Sequence, residues 1–100
     1  MNVRITVLRR TEYPDLMELY ENPLETACEM QIGDVLISVD GAQPEGLCNN
    51  AWRCMERYVT ELARGGGNFF DGWMKNEKSA MISCNDGFRP VSFLLEAEED

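Results

Sequence analysis

The sequence predicts a small α+β domain in which a mostly antiparallel sheet is covered by one long helix and one short helix. Three observations carry that expectation: period-two alternation of apolar residues in separate segments, one long run of helical periodicity, and the β-α-β-α-β-β order in which they follow. Strands are expected near 2–9, 34–39, 79–84 and 88–95, with helices at about 14–21 and about 50–64.

Each element has its own local signal. Val3, Ile5 and Val7 alternate with Arg4, Thr6 and Leu8, the pattern of a half-buried strand. Pro14 suits the first turn of a short helix in which Leu16, Leu19 and Tyr20 share a face, and Asn22-Pro23 ends it. The following segment reads as a loop that contains Cys28 and closes at Gly33-Asp34. Val35 to Val39 is a short β-branched run, and Asp40-Gly41 behind it is a turn signal.

Trp52, Met55, Val59 and Leu62 recur at helical spacing. Asn49 or Asn50 is the expected N-cap, and Gly65-Gly66-Gly67 the expected stop. Ala80, Ile82 and Cys84 alternate, Asn85-Asp86-Gly87 signals a tight turn, and Val91, Phe93 and Leu95 alternate again, so this stretch reads as a β-hairpin. Beyond it the acidic end reads as solvated.

A chain of 100 residues fits one domain, and interspersed charges among patterned apolar runs exclude a disordered chain. Nine basic against 18 acidic residues give a net charge of −9, which disfavours nucleic acid and anionic membrane surfaces as partners. Histidine is absent, so Ser-His-Asp, Cys-His and Cys2His2 arrangements are excluded within the chain. The N-terminus alternates from the start and has no apolar leader-like run, and no stretch reaches the length of a membrane span. The expected location is the cytoplasm, where thiols stay reduced or bind metal.

Four cysteines, Cys28, Cys48, Cys54 and Cys84, include no C-x-x-C pair, so any metal site has to assemble in three dimensions. A helix extended back through residue 48 puts Cys48 near the centre of the apolar stripe and Cys54 at its edge. Cys48 also sits at the start of that helix, where free N–H groups favour a thiolate, and Cys84 is in phase with Ile82 and Ala80 on the core face. Three readings stay open: small apolar filler, a shared thiolate site for a soft metal or Fe–S cluster, and redox or nucleophilic chemistry at Cys48.

Other candidates have competing structural explanations. Gly65-Gly66-Gly67-Asn68 looks like a phosphate cradle, but it follows a helix C-terminus and lacks the Gly-Lys-Ser/Thr end of a P-loop, so helix termination is the better reading. Asp86 suits a turn and Arg89 an exposed or Asp-paired charge; together they are also a candidate ligand anchor. Trp73 beside Phe69 and Phe70 is either a partner-facing patch or the closure of one end of the core.

Several segments together resemble a family of short bacterial and archaeal proteins, many from anaerobes, that is defined by its sequence pattern and has no assigned activity. They are the strand Val3-Arg4-Ile5-Thr6-Val7-Leu8, Cys28 before Gly33-Asp34, Gly46-Leu47-Cys48 leading to Ala51-Trp52, Gly66-Gly67-Asn68-Phe69, Trp73-Met74-Lys75, and Cys84-Asn85-Asp86-Gly87-Phe88-Arg89-Pro90-Val91. The resemblance spans nearly the whole chain. It implies that Cys28, Cys48 and Cys84 form a three-cysteine feature to which Cys54 does not belong. Asn49 and Gly72 depart from the pattern, which often has proline at both places.

The expected function is a ligand- or partner-binding accessory module, with Trp52, Trp73, Asp86 and Arg89 as its surface. The alternative is a metal, cluster or redox site built from Cys28, Cys48 and Cys84. No catalytic residue is named, and the expected partner is another protein or a second copy of the chain.

Overall fold

The computed structural model describes residues 1–22 and 30–98. Six elements follow in the expected order: β1 (Asn2–Arg10), α1 (Pro14–Tyr20), β2 (Val35–Ser38), α2 (Asn49–Ala63), β3 (Ser79–Ser83) and β4 (Val91–Glu98). The strands form one antiparallel sheet in the order β2-β1-β4-β3. The predicted α+β class is the observed one.

Alternation decides which face is buried. Val3, Ile5 and Val7 of β1, Ala80 and Ile82 of β3, and Val91, Phe93 and Leu95 of β4 all point to one side, where α2 lies against β1, β3 and β4. The helix meets them with Ala51, Trp52, Met55, Val59 and Leu62, the stripe that the spacing predicts. Full burial of a side chain as large as Met55 or Leu62 contributes about 2 kcal/mol of transfer free energy. The opposite face is more open, with Val35, Ile37 and Met81 exposed.

α2 ends in a Schellman motif. The N–H of Gly65 donates to Leu62 O and that of Gly66 to Glu61 O, while Gly65 itself takes a φ of +91°. Lys78 Nζ donates to the carbonyls of Gly65 and Gly66 just beyond. The glycine run therefore terminates the helix, as expected. No helix among the described residues is long and apolar enough to cross a membrane.

Three expectations are corrected. The N-cap is Cys48, not an asparagine: Cys48 has extended backbone (φ −67°, ψ 150°), and its sulfur accepts from the N–H of Ala51 at 3.4 Å. Cys48 is consequently exposed and outside the apolar stripe. Secondly, β4 begins at Val91 rather than near residue 88, because Asp86 Oδ1 takes the N–H groups of Phe88 (2.8 Å) and Arg89 (3.0 Å) and Pro90 has none to give. Thirdly, the acidic stretch 96–98 is strand, not a solvated end: Glu98 pairs with Asn2, and its Oε1 accepts from Arg4 Nε at 3.0 Å.

Candidate functional site

The N-terminus of α2 and the connection between β3 and β4 enclose a recess of about 60 Å³. α2 contributes Cys48, Asn50 and Ala51, and the connection contributes Cys84, Asp86 and Arg89. Met30, Val91 and Phe93 complete the wall, so the interior is mostly apolar and the polar groups sit together at its rim.

Local folding fixes each of these side chains. Cys48 is held by its capping role. Cys84 donates its N–H to Val91 O at 3.0 Å and accepts from the N–H of Val91 through its sulfur at 3.2 Å. Both sulfurs thus face a backbone donor. Asn50 Nδ2 donates to Asn85 Oδ1 and ties α2 to the β3–β4 connection.

Arg89 is anchored from a distant part of the chain. Its Nη1 donates to Glu21 Oε2 at 2.8 Å, and both side chains are largely covered, 18% and 13% exposed. That hydrogen bond, with attraction from Glu21, Asp86 and Glu12, raises the Arg89 pKa above the ordinary arginine value against the opposing effect of desolvation. The guanidinium is therefore a fixed cation. Two further bonds, Thr11 N–H to Pro90 O and Tyr13 N–H to Phe88 O, seat the segment leading into α1 on the same connection.

The structure brings together four of the residues singled out from sequence: Cys48, Cys84, Asp86 and Arg89. Cys28 lies outside the described residues. Cys54 is half-buried on the flank of α2, away from the recess. Trp52 belongs to the core at 9% exposure, whereas Trp73 is 83% exposed and stacks at 5.7 Å on Phe70, in a separate aromatic cluster. The expected Trp52–Trp73–Asp86–Arg89 surface is thus two places and a core residue.

Sequence reasoning missed Glu21, Asn50 and Met30. Nothing local marks Glu21, since its partner lies at the other end of the chain. Asn50 carried a signal, but as a helix cap.

Among the described residues no group of three or more Cys, Asp, Glu or His side chains is placed to hold a metal ion. Cys48 and Cys84 are soft donors at the recess, whereas Asp86 is a hard one whose Oδ1 already accepts two backbone N–H groups. No family model, curated protein or solved structure matches this chain.

Proposed function

We propose that this protein is a small binding module and that its site is the recess between the start of α2 and the β3–β4 connection. Its occupant is a compact group, a small ligand or one side chain of a partner, with an apolar body and a hydrogen-bonding end. The observation that supports this reading is the convergence of Cys48, Asn50, Cys84, Asp86 and Arg89 around one apolar-walled recess. Arg89 is already paired with Glu21, so the rim offers directed hydrogen bonds more than net charge.

The test is a titration of isotope-labelled protein with propionamide and propionate, followed by amide shifts. Saturable shifts confined to residues 48–51 and 84–91 support the reading. Saturable binding elsewhere, or none at concentrations that fill weak sites, overturns it.

The sharing of the recess by Cys48 and Cys84 supports a second reading, a thiol site for a soft metal or for redox chemistry. Titration with cadmium distinguishes the two. A thiolate-to-cadmium absorption band that disappears in Cys48→Ser and in Cys84→Ser favours the thiol site. Absence of the band, or its survival in both variants, removes that reading and leaves the binding module standing.

A further inference from the structure

The face of α2 turned away from the core carries a second feature, independent of the recess. Arg53, Arg57 and Arg64 lie within about 40° of one another around the helix axis, on the side opposite the buried stripe. They hold three of the nine basic residues in a chain whose net charge is −9. None of the three makes an ion pair among the described residues. They border a shallow groove of about 760 Å³.

One of them, Arg57, is joined to an aromatic ledge through Tyr58. The Arg57 guanidinium sits 4.8 Å from the ring centroid of Tyr58 and donates to its hydroxyl at 3.1 Å. Tyr58 packs edge-on against Phe69 at 5.1 Å, and Phe70 links Tyr58 (6.0 Å) to Trp73 (5.7 Å). Phe69 and Phe70 are packed against the core, so the ledge is rigid at its base, while Trp73 at its rim is almost wholly exposed. A guanidinium already seated on a ring loses little freedom on meeting a carboxylate, and the exposed indole at the far end of the ledge gains from being covered.

Arginines without ion-pair partners among the described residues, at one end of an aromatic ledge, and an exposed tryptophan at the other are the residue types that anchor protein interfaces. We infer that this face docks a short acidic segment of a partner protein, its carboxylates on Arg53, Arg57 and Arg64 and an apolar side chain against Phe70 and Trp73. Charge decides the class of partner. Glu56 and Glu61 also edge the groove, so its surplus is a single positive charge set in an acidic molecule. A continuous polyanion such as nucleic acid meets the repulsion of the acidic molecule at every phosphate, whereas a short segment with a few carboxylates set on the arginines and apolar residues between them meets far less of it.

The experiment uses the full chain and a blocked synthetic peptide of alternating Asp or Glu with Leu and Phe. Controls are the same peptide with Asn and Gln in place of the acids, and a short oligothymidylate. Because Trp52 is buried, a change in tryptophan emission or in acrylamide quenching reports Trp73. Expected are a saturable blue shift with the acidic peptide, weakening as salt rises, and about tenfold weaker binding in Arg57→Glu. Arg57 is exposed, so that variant folds normally by its melting curve; Trp73→Ala gives a second variant, read by amide shifts at 53–64.

Four results overturn the inference. They are no saturation at millimolar peptide, equal binding of the uncharged peptide, tighter binding of the oligonucleotide, or a concentration-dependent dimer that Arg57→Glu abolishes and that makes a second copy the occupant. None of these bears on the recess, whose probes report at residues 48–51 and 84–91.

Discussion

Glu21 and Arg89 form a largely covered ion pair, 2.8 Å between Oε2 and Nη1, that joins the residue capping α1 to the connection between β3 and β4. α1 buries no residue of its own, so its position depends on this pair and on the backbone bonds from Thr11 and Tyr13 to Pro90 and Phe88. The same pair orients the guanidinium at the rim of the recess. A helix with no core contribution thereby acts on the site through one side chain.

Removing either partner leaves the other charge largely covered without its hydrogen-bonded counterpart, so the two losses are not independent. Glu21→Ala and Arg89→Ala are therefore each expected to lower the melting temperature, and the double variant to lower it by less than their sum. Additive losses would show that the pair is not coupled. The pH dependence follows from the raised Arg89 pKa: the stability that arginine contributes is fully present below its ordinary pKa and is lost only as pH rises through the raised one. Melting curves of wild type and Arg89→Ala should thus shift in parallel from about pH 8 to about pH 10.

Asp86 separates a structural role from a binding one. Its Oδ1 accepts two backbone N–H groups, so Asp86→Ala should cost about 1–2 kcal/mol of stability, while Asp86→Asn keeps an acceptor in place and should cost less than about 0.5 kcal/mol. Chemical denaturation of the three proteins checks this. Equal losses for Ala and Asn would mean that the negative charge, not the acceptor, holds the connection.

Periodic features were legible in the sequence, and features made by single contacts were not. Trp52, Met55, Val59 and Leu62 announce α2 because one buried face imposes one spacing. The N-cap escaped because Cys48 does with a sulfur what the expected asparagine does with an oxygen, and no periodicity marks that position. The register of Val91, Phe93 and Leu95 was readable, but not the start of β4, since the N–H groups of Phe88 and Arg89 are taken by a side chain. Within the site, Asp86 and Arg89 are neighbours in sequence and were read as one anchor, but Cys84 was assigned to a separate thiol site that the recess joins to them, and Glu21 is brought in only by tertiary structure.

Adjacent glycines after α2 should respond differently to alanine. A Cβ on Gly67 would overlap the backbone carbonyl of Glu77, which is also the acceptor for the N–H of Asn68 at 2.7 Å, so the strand-side loop has to move. Gly67→Ala is expected to cost about 1–3 kcal/mol. On Gly66 the added carbon meets only the side chain of Glu61, which can rotate away, and the expected cost is below about 0.5 kcal/mol. Gly65→Ala, at φ +91°, should fall between them at about 1 kcal/mol. Comparable losses at Gly66 and Gly67 would contradict the close approach to Glu77.

Cys48 offers the sharpest separation of capping from thiol chemistry. Serine places a better acceptor at the same N-cap position, so Cys48→Ser should be at least as stable as wild type, whereas Cys48→Ala loses the acceptor for the Ala51 N–H and should cost about 0.5–1 kcal/mol. Denaturant midpoints of the two variants decide it. If serine destabilises as much as alanine, the sulfur contributes packing that an exposed cap has no need of, and the recess is tighter than its rim suggests. If serine preserves stability, the variant is folded and capped but lacks the thiol, and any change in what the recess binds can then be assigned to sulfur itself.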